Sequence, residues 1–411
     1  MNFFYLIIFI FFSGCATYQN KVAPARELLA NQQCDPAIKM LEDLSQKPDG
    51  DQLIHLLDYA AALQVCGDYK KSNQFFLKAE KLADEIDYVS VSRVAGATLL
   101  NEEMVQYKGD TFEKLFINVS LALNFMQLGQ FDSALVEVRK INQKFLKHKA
   151  DDKKNFELSS FAKYLSALIW EADRKYDDAC IDYREAFFLD TVYRKVGLDM
   201  LRGCFKADRQ GEFKDLVTKM NATNEEIKLA KQFDKTELVL VFMQGWGPRK
   251  QPRADAPSFP QLVSVNSNTH FLKAEVVDSQ DKVLDTYQSD PVYSVEKAAI
   301  ATLNADYNLL VARRIGARVA KEVIASQIRQ QDKALGQIAW LVMVASERAD
   351  LRQWSIYPKS VHTVRIPLKP GKHRIRLTGL NIYLNDSEKL PDITVNIRGG
   401  EKKFELIRSL K

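Results

Sequence analysis

Gly67-Asp-Tyr69-Lys-Lys-Ser72 and Gly129-Gln-Phe131-Asp-Ser-Ala134 are two copies of one short pattern, and this pattern decides the fold. In each copy, a glycine allows the chain to turn between two antiparallel helices. The aromatic residue two positions later fills the turn end of the helix pair, and the small residue three positions after it lets the second helix approach the first. The pattern therefore predicts a series of helical hairpins.

Three weaker copies extend the series. They are Arg174-Lys-Tyr176-Asp-Asp-Ala179, Gly211-Glu-Phe213-Lys-Asp-Leu216 and the degenerate first copy Gln32-Gln-Cys34-Asp-Pro-Ala37. The third residues of the five copies are Cys34, Tyr69, Phe131, Tyr176 and Phe213, so the intervals are 35, 62, 45 and 37 residues. Two intervals lie close to the 34-residue tetratricopeptide period, and the 62-residue interval leaves room for one extra helix pair. Residues 24–233 are therefore predicted to form a tetratricopeptide-like α-solenoid of about five units, with an irregular helical bundle as the alternative.

The composition changes at Lys235, where strand-forming residues begin. Glu237-Leu-Val-Leu-Val-Phe-Met243 is a β-type run, and a long helix is predicted over Val295–Arg329 that resumes over Ala334–Asp350. The other predicted strands are 262–265, 271–277, 283–287, 361–367, 373–380, 392–397 and 403–407. Strands followed by helices and then strands indicate an α+β domain over residues 235–411, with a mainly antiparallel sheet and a long helix. The whole chain is thus predicted to be an α+β multidomain protein.

The long helix carries a basic set and an apolar set of residues. The basic set is Arg313, Arg314, Arg318 and Lys321, and the apolar set is Leu310, Val311, Ile315 and Val319. We expect the apolar set to pack against the domain and the basic set to face solvent, because amphipathic helices divide in this way. A partner or a membrane surface is the alternative role for the basic set.

The N-terminus has the layout of a bacterial lipoprotein signal. Ten apolar residues, Phe3 to Phe12, are followed by the small residues Ser13 and Gly14 and then by Cys15. The run is far shorter than the ~20 residues that span a bilayer as a helix. We expect residues 1–14 to be removed as a signal peptide, Cys15 to carry the lipid, and residues 15–23 to form a linker. No Lys or Arg precedes the run, so an ordinary secretory signal or an anchor helix is the alternative.

The other four cysteines, Cys34, Cys66, Cys180 and Cys204, are an even number. In an oxidising compartment they permit disulfides with three connectivities. The repeat spacing favours Cys34–Cys66, near the same ends of adjacent units, and Cys180–Cys204, on two helices that pack together. Four small buried hydrophobic residues are the alternative.

The composition and the motifs speak against several functional classes. The net charge of +5 is spread along the chain, which is weak evidence for nucleic-acid binding. The five histidines lack the spacing of a metal site, and there is no Gly-x-Ser-x-Gly or Walker-type loop. The sequence therefore predicts a non-enzymatic protein with no cofactor, no metal and no nucleic-acid partner.

Two short segments stand out in the C-terminal half. In Gly245-Trp-Gly-Pro-Arg-Lys250, the residues Trp246, Arg249 and Lys250 could contact a phosphate, a carboxylate or a glycan, or the loop could be a turn whose tryptophan packs on the helices. In Ala349-Asp-Leu-Arg-Gln-Trp354, we expect Asp350 and Arg352 to tie the helix to the sheet and Trp354 to anchor the core.

Four stretches together carry a family resemblance. They are Tyr107-Lys-Gly-Asp-Thr-Phe-Glu113, Ala134-Leu-Val-Glu-Val-Arg-Lys-Ile-Asn-Gln143, Gly247-Pro-Arg-Lys250 and Ala349-Asp-Leu-Arg-Gln-Trp354 with Pro358. Jointly they resemble an uncharacterised family of bacterial cell-envelope lipoproteins with tetratricopeptide-like helices and a C-terminal α+β domain. The resemblance covers most of the chain after residue 15 and implies no established activity and no catalytic residues. Its members' genes tend to lie beside lipoproteins that activate penicillin-binding proteins, and Ala16 resembles the residue that follows the cysteine in outer-membrane lipoproteins.

These observations lead to two functional hypotheses. The first is a non-enzymatic outer-membrane lipoprotein that faces the periplasm and acts as an adaptor, with an envelope protein or peptide bound in the concave helical groove. The second is a peptidoglycan- or glycan-associated module that binds through the C-terminal domain. The sequence leaves open the partner, the pathway, the oligomeric state and the choice between inner and outer membrane.

Overall fold

The computed structural model describes residues 18–92, 106–150, 159–232, 236–345 and 348–411. Five helix pairs occupy its N-terminal half. They are α1 (Tyr18–Ala30) with α2 (Cys34–Ser45), α3 (Gln52–Val65) with α4 (Tyr69–Ser92), α5 (Thr111–Gln127) with α6 (Phe131–Ala150), α7 (Ser160–Ala172) with α8 (Tyr176–Leu189), and α9 (Arg194–Lys206) with α10 (Gln210–Met220). The short helix α11 (Asn224–Lys231) follows. The predicted tetratricopeptide-like array is confirmed.

Each helix pair turns at a residue with positive φ, two positions before the second helix begins. Two of these residues are Gly67 and Gly129, and the others are Gln32, Arg174 and Asp208. The predicted fifth copy is therefore wrong by three residues, because Asp208 takes the left-handed conformation that we assigned to Gly211, which lies inside α10. Counted from Arg174 to Asp208, the last interval becomes 34 residues, the tetratricopeptide period.

The long interval between the second and third copies is filled differently from our expectation. α4 extends to Ser92 and packs directly against α5. An extra helix pair therefore does not separate α4 from α5 among the described residues, and residues 93–105 lie outside them. At the start of the array, residues 18–23, predicted as linker, belong to α1, and Pro24 lies inside that helix.

The first helices of the three middle pairs are buried on all sides. Every residue of α7 from Ser160 to Glu171 is buried, and α3 is buried from Leu53 to Gln64. The second helices are amphipathic, and α8 buries six of its fourteen residues. A first helix is covered by its own partner on one side, so another part of the chain must cover its opposite side.

The C-terminal half contains two larger sheets and a hairpin. One sheet has the order β11 (Lys402–Ser409), β1 (Glu237–Gln244), β7 (Ser360–Pro367), β6 (Asp290–Ser294), and the other has the order β10 (Ile393–Ile397), β8 (Gly371–Leu380), β4 (Phe271–Val277), β5 (Val283–Gln288), with β9 (Asp386–Lys389) also paired to β8. The hairpin consists of β2 (Arg249–Pro252) and β3 (Pro260–Val263). Only β1 and β11 pair in parallel among the described strands, so the predicted antiparallel character is confirmed.

The two larger sheets pack face to face, and β1 explains how they meet the array. Leu238, Leu240 and Phe242 point into the core between the sheets. The alternate residues Val239 and Val241 belong to the core shared with the helices. Because β1 is buried on both faces, its sequence is an unbroken apolar run from Leu238 to Met243.

Three strands were missed by the sequence analysis, namely β2, β6 and β9. β2 and β9 are short, polar strands of four residues, and β6 begins with Asp290-Pro291, so none of them shows a strong strand pattern. All three lie at sheet edges or in the small hairpin, where pairing needs few apolar residues.

The long helical segment is a hairpin of α12 (Val295–Gln331) and α13 (Lys333–Ala345). Within the described chain, no helix combines the length and the apolar character needed to cross a bilayer. Our expectation for the two faces of α12 is wrong for four of the eight residues, whereas Arg313 and Arg318 are exposed as expected. Arg314 and Lys321 point into the hairpin and donate to the carbonyl oxygens of Arg348 at 2.6 Å and Met343 at 3.2 Å, whereas Ile315 and Val319 are each 60% exposed.

Candidate functional site

The inner surface of the array, formed mainly by the first helices, is occupied by the C-terminal half of the same chain. An extended stretch without helix or strand, residues 350–357, lies against α1, α3 and α5, and we call it the groove segment. Strand β7 and its neighbours lie against α7 and α9. Two groups of buried polar residues hold these contacts, one at each end of the array.

Asp58 of α3 binds the backbone of the groove segment. Its carboxylate accepts the N–H groups of Ser355 at 2.8 Å and Ile356 at 3.1 Å, and the Ser355 hydroxyl at 2.7 Å. The Tyr18 hydroxyl also donates to it. Burial raises the pKa of Asp58, and the hydrogen bonds from Tyr18 and Ser355 oppose that rise. A carboxylate inside an apolar helix face is therefore used here as a backbone-binding group.

Glu113 of α5 has the same role one helix pair further along. It accepts the Trp354 N–H at 2.9 Å, the Tyr107 hydroxyl at 2.6 Å and the Asp110 N–H at 3.0 Å. Burial, together with the charge of Asp110, raises the pKa of Glu113 to about 7. The backbone from Trp354 to Ile356 is thus bound by two carboxylates on neighbouring first helices.

Trp354 is the largest fully buried side chain of this contact. Its ring lies against Phe76 at 5.7 Å, Phe116 at 5.9 Å and Tyr357 at 6.2 Å between centroids. The predicted anchor role of Trp354 thus matches its position in the core. Phe76 and Phe116 belong to the helical array, so the core that Trp354 anchors is shared with the array.

Asp350 and Arg352 fix the start of the groove segment. The Arg352 guanidinium binds Asp350 at 2.7 Å and Asp51, at the start of α3, at 3.0 Å. Gln19 of α1 donates to the Leu351 carbonyl at 3.1 Å. These residues therefore tie the segment to the first two helix pairs, and the prediction that Asp350 and Arg352 tie the long helix to the sheet is wrong.

At the other end of the array, Arg365 of β7 forms a buried ion network. Its guanidinium binds Glu171 at 3.1 Å, Asp199 at 3.2 Å and Glu237 at 2.5 Å. Glu171 belongs to α7, Asp199 to α9 and Glu237 to β1. The network therefore joins two first helices to two adjacent strands.

Further cations and hydroxyls complete this network. Glu171 accepts hydrogen bonds from the Lys206 ammonium at 2.6 Å and the Tyr183 hydroxyl at 2.7 Å, and forms an ion pair with Lys402 at 3.5 Å. Asp199 accepts a hydrogen bond from the Tyr164 hydroxyl at 2.5 Å. Burial alone would raise the pKa of Asp199, but the charges of Lys195 and Arg365 lower it to about 2. Buried charges with partners on every side are stable together and costly to separate.

The loop with Trp246, Arg249 and Lys250 lies between the groove segment and the C-terminus. Trp246 is buried and donates to the Leu410 carbonyl at 3.0 Å, and the guanidinium groups of Arg249 and Arg408 lie 5.3 and 5.8 Å from the centre of its ring. Arg249 donates to the Ser355 carbonyl at 2.8 Å.

Lys250 has the same kind of partner, because its ammonium donates to the Arg352 carbonyl at 3.1 Å and its N–H to Gln353 at 2.7 Å. Burial lowers the pKa of Arg249 to about 10. The three predicted contact residues are thus engaged by the chain itself, and their geometry matches the packing alternative.

Both cysteine pairs favoured by the repeat spacing are disulfides in the structure. Cys34–Cys66 joins the start of α2 to the end of α3, and Cys180–Cys204 joins α8 to α9. Cys15, the predicted lipidation site, lies outside the described residues, as do residues 1–17 as a whole. The predicted boundary at residues 233–235 also lies outside them.

The buried carboxylates of the described residues are engaged within the chain. No group of three or more His, Cys, Asp or Glu side chains within the described ranges could hold a metal ion. The buried carboxylates Asp58, Glu113 and Glu171 each bind backbone or cationic groups of the same chain. Their arrangement serves the contact between the two halves.

Comparison with solved structures finds similarity over about half of the chain. No protein-family model and no curated protein matches the chain. MamA from Desulfovibrio magneticus RS-1 is 15% identical, covers 51% of this chain and 94% of its own, and has a TM-score of 0.32. A putative kinesin light chain from Podosopora anserina with TPR-like repeats is 12% identical to this chain. The match covers 52% of this chain and 94% of that protein, with a TM-score of 0.34. TM-scores this low support no conclusion about this chain. The stacked helix pairs are established by the chain's own helices.

Sequence reasoning missed Asp58, Glu113 and Arg365, the three residues on which the contact depends. Asp58, in Leu53-Ile-His-Leu-Leu-Asp58, and Arg365, between Val364 and Ile366, lie among apolar neighbours, whereas Glu113 lies between Phe112 and Lys114. An ionisable residue at a position that the pattern assigns to the core is the signal that could have found Asp58 and Arg365, because such a residue needs a buried partner. The partner itself could not be read from the sequence.

Proposed function

We propose that this chain is a non-enzymatic lipoprotein of the outer membrane that faces the periplasm and serves as a protein-binding adaptor. Helical arrays of this kind are commonly protein-binding scaffolds. Export is supported by the two disulfides, which persist in oxidising compartments and are rare in the cytosol. The lipid anchor is supported by the apolar run and Cys15.

The observation that carries the adaptor proposal is the exposed apolar surface of α13. Leu335, Ile338 and Leu341 are each more than half exposed on the side that faces away from α12. Contiguous exposed apolar residues of this size mark interaction sites. By contrast, the groove that we expected to hold a partner already holds the groove segment, so a partner there would have to displace it.

The anchor is tested by labelling cells with palmitate. The chain should incorporate label and fractionate with the outer membrane, and Cys15→Ala should lose both properties. A variant that keeps its label would contradict the anchor, and a wild-type chain found unlabelled in the cytosol would contradict export as well. Alkylation of the denatured envelope protein under non-reducing conditions should find no reactive thiol at Cys34, Cys66, Cys180 and Cys204.

The adaptor role is tested by photo-crosslinking in intact envelopes. A crosslinking amino acid at Leu341, 66% exposed, should yield adducts with one distinct envelope protein. The matched control is Val192, which is 71% exposed but lies between α8 and α9. Equal adducts from both positions, or none from Leu341, would contradict a specific surface on α13.

The glycan-binding alternative predicts a different result. Replacing Trp246, Arg249 and Lys250 together would remove peptidoglycan binding without loss of stability if they contacted a glycan. From their hydrogen bonds to Leu410, Ser355 and Arg352, we expect a loss of stability instead.

A further inference from the structure

The solvent-facing side of α12 carries a regular pattern that the adaptor role of α13 does not use. Spaced alternately by four and three residues, it contains Ala305, Leu309, Ala312, Gly316, Val319, Val323, Ser326 and Gln330, and we call it the α12 stripe. All of these residues are exposed except Ser326, which is half-buried. Spacing of 3.5 residues over more than three heptads is the signature of a helix that packs along another helix.

The α12 stripe is uncharged, and the charged residues of α12 lie elsewhere. Arg314 and Lys321 point towards α13, and Glu322 forms an ion pair with Arg329 along the edge of the stripe. Leu309, Val319 and Val323 are 50–60% exposed. Such a helix buries its polar groups towards its own hairpin and leaves an apolar strip for a neighbour.

From this pattern we infer that the stripe binds the same stripe of a second copy of this chain, with the two α12 helices antiparallel. One register pairs a small residue with a larger one in each central layer: Gly316 faces Val319 of the partner, and Ala312 faces Val323. The next layer outward pairs Leu309 with Ser326. A bilayer would require neither the small residues nor the regular spacing, because lipid chains have no register.

Two local features support a second copy of the chain as the binding partner of the stripe. An added Cβ at Gly316 would meet nothing within 4 Å, so another helix can approach the backbone there closely. In the antiparallel register, Arg313 lies beside Ala320 and Gln327 of the partner, and like charges do not face one another across the stripe. Isologous pairing about a two-fold axis is also the commonest way in which identical chains associate.

The size of the α12 stripe determines how tightly two copies of the chain are expected to associate. Its core and flanking positions are roughly 15 residues per copy, below the about 20–30 that a standard stable interface takes from each side. We therefore expect association in the micromolar range in solution. Two chains anchored in one membrane would meet at a much higher effective concentration.

The register is tested by cysteine crosslinking of the full chain in intact envelopes with a short bismaleimide. Val319→Cys should give a covalent dimer, because residues 319 of the two copies lie close to the two-fold axis. Ala305→Cys alone should stay monomeric, because the two residues 305 would be about 38 Å apart. Co-expressed Ala305→Cys and Gln330→Cys chains should crosslink to each other.

The controls distinguish antiparallel self-association from a parallel dimer and from binding of a different protein. The wild-type chain has its four described cysteines in disulfides and should give no dimer. Equal crosslinking of Ala305→Cys and Val319→Cys would indicate parallel helices and would overturn the register. Adducts of Val319→Cys with a different protein, or none at all, would overturn self-association.

A second measurement does not depend on crosslinking. Sedimentation of the purified mature chain at about 100 µM should show a monomer–dimer equilibrium, and Val319→Asp should weaken it at least tenfold. The matched control Val192→Asp should leave the equilibrium unchanged. A monomer at this concentration, or binding of the wild-type chain to phosphatidylglycerol vesicles that Val319→Asp abolishes, would contradict the proposal.

Discussion

The first helices of the array and α12 place their apolar and charged residues in opposite ways. α3 and α7 are buried on all sides, and Asp58 of α3 and Glu171 of α7 bind the C-terminal half. α12 turns two of its cations, Arg314 and Lys321, inward to its own hairpin and exposes several of its aliphatic residues. The difference shows that the surroundings of a helix, and not its amphipathic pattern alone, decide which face is covered.

The same comparison explains why the concave surface of the array is not open to other molecules. A tetratricopeptide-like array normally offers its concave surface to other molecules. Here the groove segment and β7 cover that surface, and Asp58, Glu113 and Arg365 bind them with buried charges. The array therefore acts as a support for the C-terminal domain, and the interaction surfaces that we propose lie on the α12–α13 hairpin.

The largest expected effect comes from breaking the Arg365 network. Arg365→Ala leaves Glu171, Asp199 and Glu237 buried with fewer cations, and we expect the free energy of unfolding to fall by about 3–5 kcal/mol. Urea denaturation measures the change. The matched control is Arg374→Ala, which removes a half-exposed ion pair with Asp281 and should cost less than about 1 kcal/mol. Equal losses in the two variants would show that the network does not hold the halves together.

A smaller effect is expected when Glu113 ionises. Its pKa is about 7 in the folded chain and 4.5 as its ordinary value, so the folded state favours the protonated form. This contribution is fully present below pH 4.5 and is lost as the pH rises through 7, with a magnitude of about 3 kcal/mol. Unfolding measured from pH 5 to 8 should show the loss, and Glu113→Gln should flatten it. A profile that is the same in both proteins would contradict the buried position of this carboxyl.

Asp199 should respond to pH in the opposite direction. Its folded pKa of about 2 lies below the ordinary 3.8, so its contribution is present above pH 3.8 and is lost as the pH falls through 2. We expect about 2 kcal/mol from this group. Acid unfolding of the wild-type chain and of Asp199→Asn measures it, and the variant should lose less stability between pH 4 and pH 2. The array would thus weaken at one end in acid and at the other end in base.

The smallest effect is expected on α12. Val323→Ser replaces a half-exposed valine, and the stability of the monomer should change by no more than about 0.5 kcal/mol. Thermal unfolding at low protein concentration measures it. A loss of several kcal/mol would mean that the outer face of α12 is packed within the monomer, and the contrast with the first helices would disappear.

The fold was largely predictable because local patterns specify it. The turn residues Gly67 and Gly129 and the apolar run from Glu237 to Met243 are local signals, and both elements appear where we expected them. The fifth turn was misplaced because Asp208 adopts a positive φ without being glycine. The edge strand β6 was missed because its partner β7 is distant in the sequence, and β9 was missed because its four residues are all polar.

The contact between the halves could not be predicted in the same way. Asp58 and Ser355 are almost three hundred residues apart, and Arg365 and Glu171 almost two hundred. The sequence shows a carboxylate or a guanidinium among apolar neighbours, but it does not show which buried partner each one has. For the same reason, the loop of Trp246 and Arg249 resembled a ligand site, although both residues bind the chain's own backbone.

Amide hydrogen exchange at Trp354, Ser355 and Ile356 tests the central claim most directly. These residues lie in no helix or strand, so their protection depends on Asp58 and Glu113 of the array. We predict that the three amides exchange as slowly as those of the central strand β1. Exchange at the rate of an exposed loop would show that the array is open and would contradict the account.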